Sequence, residues 1–408
     1  MSPDYDVVIV GAGMVGASLA CALSSSMATS NLRIAIIESV TLSNDQQPSY
    51  DDRGLTLSAS SKRILEQIDV WQQVQAYATP IKKIHVSEQG RFGFTRLSAD
   101  EVGRNELGNI VIARALGQAL HKQMASYKNV ELICPAELKH FKRNNEMMEL
   151  EITESGQTRI ISAGLLVGAD GSRSLVRRLA DINTKEKDFK QTAIVANVTT
   201  QKPNNATAFE RFTPHGPVAL LPIDKNRSVL VFTVNRNDAE YYLAMSDELF
   251  IKEVENEFGR RLGYIGQVGQ RRSYPLFFIE ALEQYQQQLV LLGNAAHSIH
   301  PNAAQGFNLG LRDVAGLAEC IFTGLKKGYD ISDITILEDY VALRQKDQKR
   351  IMRLSNKLAS IFYNEYPVLS SARNAAMLLL DVIPELKKSF MQTTMGLAGI
   401  QPRLVRDQ

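Results

Sequence analysis

The sequence predicts a mixed α/β protein: a doubly wound parallel-sheet domain, an inserted domain with a mixed or antiparallel sheet, and a helical C-terminus. Three observations support this fold class. An apolar run at residues 5–10 leads directly into a glycine-rich turn and a helical pattern, as expected for a parallel strand that feeds a helix. Short runs with alternating apolar residues dominate 191–275. From residue 336 onward, apolar residues recur at helical spacing.

Length and composition indicate an ordinary globular protein of two or three domains. The chain has 408 residues, of which 44% are hydrophobic and 22% charged. A net charge of +2 gives no argument for a nucleic-acid partner. Cys21, Cys134 and Cys320 are scattered and form no C-x-x-C pair. This pattern favours reduced thiols in the cytoplasm and gives no support for a metal site.

The N-terminal segment has no charged residue between Asp6 and Arg33. A signal peptide is disfavoured because the residues before the apolar run are Asp4 and Asp6 rather than Lys or Arg. Glycine and hydroxyl residues interrupt the run, which argues against a membrane span. We therefore predict a buried strand followed by a closely packed helix.

The first motif, Gly11-Ala12-Gly13-Met14-Val15-Gly16, has the spacing of a Rossmann-like dinucleotide site. The three glycines at 11, 13 and 16 suit a tight turn, close approach of a pyrophosphate, and close packing of helix on strand. A second apolar strand at 33–38 ends in Glu38, 22 residues after Gly16, where a carboxylate can accept hydrogen bonds from a ribose. The motif alone leaves NAD and FAD open.

Two later motifs also join a strand to a helix. An apolar strand at 165–168 ends at Ala169-Asp170-Gly171, which places Asp170 at the carboxyl edge of the sheet, with Ser174 as a helix cap. A strand at 288–292 stops at Gly293, and a polar loop with His297, His300 and Pro301 leads to a helix that begins at Gly306. Because the first amides of a helix lack internal partners, this second junction is expected to attract an anion.

Between these motifs the pattern predicts further elements. They are a surface connection at 43–50 before Arg53, a helix at 60–70, strands within 81–97, a helix at 110–127 with Arg114 at its start, a strand at 130–134, and a hairpin of 148–152 with 158–162. Strands at 193–199, 208–212, 218–222 and 228–234 then precede a helix near 246–257.

We assign the first, discontinuous domain to 1–80, 105–185 and 286–335, the inserted domain to 81–104 and 186–285, and a helical region to 336–408.

Residues 340–408 contain eleven Lys or Arg and five Asp or Glu. One helical face there carries the basic residues Lys346, Arg350, Arg353 and Lys357, and another carries Ile351, Leu354, Leu358 and Ile361. Such a helix either lies on an anionic membrane or covers a core with a solvated face.

The three motifs together resemble those of the group A flavoprotein aromatic hydroxylases. They read G-A-G-M-V-G at 11–16, G-A-D-G-S-R-S at 168–174 and G-N-A-A-H-S-I-H-P-N-A-A-Q-G-F-N-L-G-L-R-D at 293–313. Four narrower stretches, at 51–58, 86–94, 209–222 and 260–276, resemble the ubiquinone-biosynthesis hydroxylases, in particular the 2-polyprenyl-6-methoxyphenol hydroxylases (UbiH). The resemblance runs from about residue 5 to residue 350 and implies a fold like that of para-hydroxybenzoate hydroxylase.

The resemblance also implies which residues bind FAD. They are Gly11, Gly13 and Gly16 at the pyrophosphate, Glu38 at the ribose, Arg53, Arg114 and Asp170, Gly293 and Asn294 at the ribityl chain, and Pro301, Gly306, Phe307 and Asn308 beside the flavin ring. Two positions depart from the family pattern. Asn294 replaces an aspartate, which keeps hydrogen-bonding capacity but loses charge, and Ala304 replaces a glycine, which adds a methyl group near the expected ring.

The activity implied is hydroxylation of a polyprenylated phenol with O2 and NAD(P)H, through a C4a-hydroperoxyflavin, in the cytoplasm or peripherally on the inner membrane. The C-terminal helices are expected to contact the membrane or a ubiquinone-biosynthesis assembly. No catalytic base is identified; His215 and Tyr274 are the candidates, while His297 and His300 are expected to be structural. A prenyl-lipid reductase of the same fold, or a non-catalytic subunit of the assembly, remains open.

Overall fold

The structure is a computed structural model that describes residues 2–27, 29–41, 53–144, 147–301, 304–363 and 367–406. The predicted surface connection at 43–50 lies outside these residues, as do Asn302 and Ala303 of the third motif. Side chains are described except within 359–372, so the expected contribution of Ile361 to an apolar face also lies outside.

The described strands and helices follow one another along the whole chain. The strands are β1 (Tyr5–Val10), β2 (Ile34–Ile37), β3 (Gly54–Ser58), β4 (Thr79–Ile81), β5 (Lys83–Glu88), β6 (Phe94–Ser98), β7 (Gly108–Ile112), β8 (Val130–Ile133), β9 (Ala136–Asn144), β10 (Met147–Glu154), β11 (Gln157–Gly168), β12 (Thr184–Thr200), β13 (Thr207–Thr213), β14 (Gly216–Pro222), β15 (Arg227–Asn235), β16 (Ile265–Val268), β17 (Arg272–Ala281), β18 (Tyr285–Gln286), β19 (Leu289–Leu291) and β20 (His297–Ser298). The helices are α1 (Met14–Ser24), α2 (Ala59–Gln67), α3 (Trp71–Val74), α4 (Ala113–Ala125), α5 (Leu175–Leu179), α6 (Ala239–Ala244), α7 (Asp247–Phe258), α8 (Gly306–Lys326), α9 (Ile334–Tyr363), α10 (Pro367–Val382) and α11 (Pro384–Thr394).

The first sheet is built around β1. Its order is β18-β19-β11-β1-β2-β8, with parallel pairing from β19 to β8, and β10 and β9 extend it as a hairpin from β11. Both faces of β1 are covered: Val7 and Ile9 belong to one buried cluster, and Val8 and Val10 to the other. A strand buried on both faces has no polar alternation, which explains its continuous apolar sequence.

The second sheet is mixed, as predicted. Its order is β20-β17-β12-β15-β14-β13-β5-β6, with β16 also paired to β12. All described pairs are antiparallel except β13 with β5. The apolar side of α7, with Phe250, Val254 and Phe258, packs on one face. The pairing of β17 with β20 brings the segment 293–308, here called the junction loop, to the edge of this sheet.

The predicted start of the helix at 110–127 is wrong. Residues 110–112 belong to β7, which pairs with β3 and β4 in a small antiparallel sheet, and α4 begins only at Ala113. The reason is that Ile110, Val111 and Ile112 are β-branched and favour an extended strand. Arg114 nevertheless lies in the first turn of the helix, as expected.

The C-terminal helices pack against the second sheet. The backbone of α10 meets β6, where Thr95 Oγ1 donates a hydrogen bond to the Met377 carbonyl (2.9 Å) and the Arg96 amide donates to the Asp381 carboxylate (2.7 Å). Among the described residues, no helix is both long enough and apolar enough to cross a bilayer.

Candidate functional site

Two of the three glycines in the first motif are required by the backbone itself. Gly11 has φ +104°, and a Cβ there would lie 2.6 Å from the Ala169 carbonyl oxygen. A Cβ on Gly16 would lie 2.0 Å from the Gly11 oxygen. Gly13 is different, because its φ of −62° and ψ of 176° suit any residue, and no described side chain caps α1 at this position. The first amides of α1 therefore have no capping side chain at the N-cap position.

Glu38 lies beside this turn, where the sequence predicted it. Its carboxylate accepts hydrogen bonds from the amides of Ala12 (2.8 Å) and Val40 (2.9 Å), so β2 and the glycine turn are tied together. A carboxylate offers about four acceptor positions, so the two backbone bonds leave capacity for ribose hydroxyls.

Asp170 is brought next to the same turn. One carboxylate oxygen accepts from the amides of Leu175 (2.6 Å) and Val176 (3.1 Å) at the start of α5. The other oxygen, Oδ1, is buried without a hydrogen-bond partner among the described residues. A buried acceptor in this state costs free energy unless a donor reaches it, so Asp170 Oδ1 is an acceptor that a ligand hydroxyl would satisfy.

The junction loop completes this edge of the first sheet. Gly293 has φ +54°, and a Cβ there would lie 3.0 Å from Val15 on α1. Asn294 follows in an exposed turn and lines the cavity described below. Arg177, which the sequence analysis did not single out, donates to the carbonyls of Ala295 (2.7 Å) and Ser172 (2.9 Å) and so fixes the second motif to the third.

At its far end, the junction loop enters α8 through an unusual residue. Ala304 has φ +49°, a conformation that L-residues rarely adopt and that glycine adopts freely. This backbone conformation explains why the family pattern has a glycine at the position that Ala304 occupies here. No described side chain caps the first turn of α8, so the amides around Gly306 and Phe307 are open to an anion.

Asn308 proves to be a structural clamp. Its Oδ1 accepts from the Ser58 amide (2.8 Å) and Ser61 Oγ (2.6 Å), while its Nδ2 donates to the carbonyls of Thr56 (2.8 Å) and Ala304 (2.7 Å). The side chain thus holds β3 and α2 against the start of α8, and only its backbone amide is left for a ligand.

We predict that Asn308→Leu lowers the free energy of unfolding by about 2–4 kcal/mol, because several buried polar groups lose their partner. Urea unfolding followed by circular dichroism measures this change. Gln267→Leu, on the exposed side of β16, is the control and should stay within about 0.5 kcal/mol of the parent. A loss no larger than in the control would contradict the clamp.

Arg53 and Arg114 approach each other through the backbone. The Arg53 carbonyl accepts from the Ala113 amide (2.9 Å), one residue before Arg114. The Arg53 guanidinium lies over the ring of Tyr274, 4.4 Å from its centroid. Arg53 and Tyr274 both line the cavity, whereas His215 is exposed and does not. Of the two candidate bases, the structure therefore brings only Tyr274 to the cavity.

Both histidines of the junction loop contact side chains of other segments. His300 Nε2 lies 3.4 Å from Gln191 Oε1, and its carbonyl accepts from Ser355 Oγ (3.1 Å). His297 Nε2 lies 2.5 Å from the Asp313 carboxylate on α8. Both rings are buried.

Asp313 is the centre of an ion-pair network that the sequence analysis missed. Arg344 Nε and Gln348 Nε2 each donate to its Oδ1 (2.9 Å), and Asp347 bridges Arg344 to Arg312. Burial alone would raise the pKa of the Asp313 carboxyl, but His297 and Arg344 outweigh burial and hold the pKa below its ordinary value. The network fastens the junction loop to α8 and α9.

A cavity of about 520 Å³ adjoins the junction loop. One side of the cavity is formed by the face of the second sheet that is opposite α7, here called the inner face. The strand β3 forms a second side, here called the wall, and α10 and α11 form a third. The described lining is mainly apolar, and only Arg53, Glu210 and Tyr274 on it are ionisable. A concave, mainly apolar cavity with few polar groups, beside an anion site, is the arrangement expected of a small-molecule site.

A parallel sheet with a glycine turn, joined to a second sheet that covers an apolar cavity, is the arrangement of a dinucleotide-binding protein with a ligand cavity beside the cofactor edge. Comparison with known proteins gives the class more closely. The family model described as "FAD binding domain" matches residues 4–355. The chain is 34% identical to ubiquinone hydroxylase UbiL of Rhodospirillum rubrum over 98% of this chain and 92% of that protein. It is 30% identical to 3-demethoxyubiquinol 3-hydroxylase of Escherichia coli, over 96% and 98%.

Among solved structures, p-nitrophenol 4-monooxygenase PnpA of Pseudomonas putida has the same fold, with a TM-score of 0.79 at 16% identity over 98% of this chain and 99% of that one. The chain therefore belongs to the FAD-dependent monooxygenases, in the family of the ubiquinone hydroxylases, and FAD is its cofactor. The predicted fold class and family are confirmed. The residues present fit the cofactor, since α1 and α8 begin uncapped and Asp170 Oδ1 has no described partner.

Proposed function

We propose that this protein is an NAD(P)H-dependent monooxygenase that hydroxylates the ring of a polyprenylated phenol in ubiquinone biosynthesis. The observation that carries the proposal is the apolar cavity between the junction loop and the second sheet. Its size suits one substituted ring with the first part of an apolar tail, and its lining offers little to a polar or highly charged substrate. The names of the relatives support the same substrate class.

The proposed FAD contacts follow from the geometry of the first sheet's carboxyl edge. The amides at the start of α1, beyond Gly11 and Gly13, receive the pyrophosphate, and Glu38 receives the adenosine ribose. Asp170 Oδ1 and Asn294 face the middle of the cofactor as hydrogen-bond partners for its hydroxyls. The remaining proposed contacts come from Gly16, Arg53, Arg114, Gly293, Pro301, Gly306, Phe307 and the backbone of Asn308.

Bound FAD would supply the oxygen chemistry, namely the activation of O2 with electrons from NAD(P)H and the transfer of one oxygen atom as an electrophile. The protein's part is to position and to exclude water. The open amides at the start of α8, aided by the helix dipole, stabilise negative charge beside the junction loop. The second sheet and α10–α11 enclose the substrate ring in an apolar space.

Deletion of the gene in its own host tests this function. The expected result is accumulation of a prenyl phenol that lacks one oxygen atom, identified by mass spectrometry, and restored by the intact gene. Accumulation of a ring with the full number of oxygens would favour a reductase instead. Purified protein that is colourless and takes up no FAD would support the non-catalytic subunit.

We further propose that α10 and α11 contact a membrane surface. Their cavity side carries Met377, Leu380, Phe390 and Met391, while Leu378, Leu379, Val382 and Leu386 are exposed, Val382 to 73%. A helix pair that is apolar on both sides presents apolar surface to a lipid layer outside and to a prenyl tail in the cavity.

The basic face expected on α9 is only partly available for this contact. Lys346, Arg353 and Lys357 are exposed, but Arg350 pairs with Asp347 (3.1 Å) and donates to the Ala398 carbonyl (2.9 Å). Farther along the chain, Lys387 pairs with Glu101 (2.9 Å). Apolar contact is therefore proposed as the main contribution, with the three exposed cations adding electrostatic attraction.

The double variant Leu379→Glu with Val382→Glu is expected to reduce co-sedimentation with phosphatidylglycerol–phosphatidylethanolamine vesicles by at least about tenfold, because charged groups are disfavoured in the interfacial apolar layer. Ile160→Glu, an exposed apolar residue of β11, is the matched control and should bind vesicles like the parent. Equal sedimentation of the double variant and the parent would contradict this surface.

A further inference from the structure

Glu210 is the one carboxylate on the described lining of the cavity. It lies in the middle of β13, where side chains alternate between the two faces of the sheet. Arg211 reaches the α7 side, donating to the Phe258 carbonyl (2.9 Å), whereas Ala208, Glu210 and Phe212 line the cavity. A charged residue on the inward face of an otherwise apolar sheet is costly and calls for a reason.

The neighbours of Glu210 on the sheet give it no partner. It lies opposite Val86 on β5 and Ala219 on β14, and Ala219 lies opposite Val231 on β15. Within the described part of the chain, its carboxylate makes no hydrogen bond or ion pair, so its acceptor positions open into the cavity. Burial raises the pKa of the Glu210 carboxyl to about 7.

The other ionisable groups of the cavity are distant. Arg53 and Tyr274 stack on each other, and β17, which carries Tyr274, is four strands away from β13 in the sheet. Four spacings of about 4.8 Å place Tyr274 roughly 19 Å from Glu210 along the sheet. The described residues of α10 and α11 on the cavity, Met377, Leu380, Phe390, Met391, Thr394 and Met395, are uncharged. Nothing described in the cavity neutralises Glu210.

Glu210 is nevertheless close to β3, the wall of the cavity that begins beside Arg53, a proposed cofactor contact. A Cβ on Gly54, the first residue of β3, would lie 2.7 Å from Val229 Cγ2 on β15. The strand β15 is two strands from β13 in the sheet. The contact between β3 and β15 therefore lies roughly 10 Å from β13, the strand that carries Glu210. One substituted aromatic ring spans most of such a gap.

We propose that Glu210 is the catalytic base that accepts the proton of the substrate's phenolic hydroxyl. The inference rests on the proposed function, and it assigns a role for which the sequence offered only His215 and Tyr274. A phenolate ring is a much stronger nucleophile than a phenol toward an electrophilic oxygen, so ionisation of the hydroxyl accelerates the transfer.

Proton transfer begins at the hydroxyl of the substrate. The phenol O–H bond breaks, its electron pair stays on the ring oxygen, and its proton bonds to a Glu210 carboxylate oxygen. A ring carbon then uses an electron pair of the phenolate ring to bond to one oxygen atom derived from O2, while the O–O bond breaks. The second oxygen atom leaves as water, and the two electrons that NAD(P)H supplies account for the reduction of dioxygen. Loss of the proton on that carbon to solvent restores the aromatic ring, and the proton on Glu210 returns to the first ring oxygen.

The direction of the pH dependence follows from the raised pKa. Above about pH 7 the carboxylate is ionised and acts as a base, and as the pH falls through about 7 it becomes protonated and the rate falls. The contribution of Glu210 to the stability of the fold has the opposite pH dependence: it decreases as the pH rises. Because the folded-state pKa is above the unfolded value, the stabilising effect of protonation is lost as the pH rises through about 7. Glu210→Gln should therefore have a higher melting temperature than the parent at pH 8, but not at pH 4.

The test compares Glu210→Gln with the parent across pH 5.5–9, with product oxygenation measured for a short-chain prenyl phenol and for its ring-nitro analogue, which is already ionised at pH 8. For the ordinary phenol we expect kcat of Glu210→Gln at pH 8 to be about a hundredfold lower than that of the parent. The pH profile of the variant should also lack the inflection near pH 7 that we expect for the parent. For the nitro analogue the loss should be less than about tenfold, because no base is needed. FAD content should be unchanged.

Glu151→Gln, the same substitution at an exposed position of β10, is the control and should behave like the parent. Glu210→Gln with the parent's pH profile, or with equal losses on the two phenols, would overturn the role of Glu210 while leaving the proposed function intact. A parent enzyme that oxygenates neither phenol would overturn both.

Discussion

Replacing Asp313 with alanine is expected to lower the free energy of unfolding by about 3–5 kcal/mol, which is the usual cost of removing one partner from a buried ion pair. Asp313 is 0% exposed, and Arg344, which donates to it, is 1% exposed. The alanine variant leaves the guanidinium of Arg344 and the ring of His297 facing a space from which water is excluded. The loss comes mainly from these stranded donors rather than from the missing attraction.

Chemical unfolding at pH 7 measures this loss, and Asp339→Ala provides the control because Asp339 is exposed on α9. The control should stay within about 0.5 kcal/mol of the parent. The pair Asp313→Ala with Arg344→Met should lose less than the sum of the single losses, since it removes the stranded charge as well. An Asp313→Ala variant within about 1 kcal/mol of the parent would show that the network does not hold the junction loop.

The low pKa of Asp313 adds a pH dependence. Because the folded-state pKa is depressed, the ion pairs stabilise the protein above the unfolded pKa of about 4, and this stability is lost as the pH falls through the lower folded value. The stability difference between the parent and Asp313→Ala should therefore narrow in strong acid.

Gly13→Val is expected to fold and to lose FAD. The backbone of Gly13, with φ −62° and ψ 176°, is an ordinary extended conformation that valine adopts without strain. Its side chain would occupy the space in front of the α1 amides, where the pyrophosphate is proposed to lie. Loss of two charge-assisted hydrogen bonds of about 1.5–3 kcal/mol each lowers FAD affinity by at least about a hundredfold.

The flavin absorbance of the purified protein, followed by titration with FAD, measures this loss. Gly266→Val on β16 is the control, because a Cβ there meets its nearest atom only at 4.0 Å. It should purify yellow. Gly16→Val should instead fail to fold, since its Cβ would clash with the Gly11 oxygen at 2.0 Å. A Gly13→Val protein with full flavin content would show that the first motif does not hold the cofactor.

The parts of the fold that were predicted from the sequence are those with local patterns. The unbroken apolar run of β1 and the glycine spacing that follows it determine the strand, the turn and α1 without reference to distant residues. The same holds for the segment from β19 to α8. The prediction of a helix at residues 110–112 is wrong because the helical spacing of Leu116 and Leu120 does not continue through the three β-branched residues that precede α4.

What the sequence did not reveal depends on contacts between distant segments. His297 and Asp313 are 16 residues apart, and Arg344 and Gln348 lie 31 and 35 residues beyond Asp313, so no local pattern predicts that they meet. The clamp by Asn308 joins residues about 250 apart. Glu210 is a charged residue at a position of β13 where the alternating pattern otherwise has apolar residues. This departure indicates a functional residue only once the structure shows that these positions face the cavity.

Ring hydroxylation is tested by supplying heavy-isotope dioxygen to the FAD-loaded protein with NAD(P)H and a short-chain prenyl phenol, and by determining the mass of the product. A ring hydroxylase is expected to yield a product that carries one heavy oxygen atom, in step with NAD(P)H oxidation. Substrate-dependent NAD(P)H oxidation with a product that contains no heavy oxygen would contradict the account and indicate a reductase.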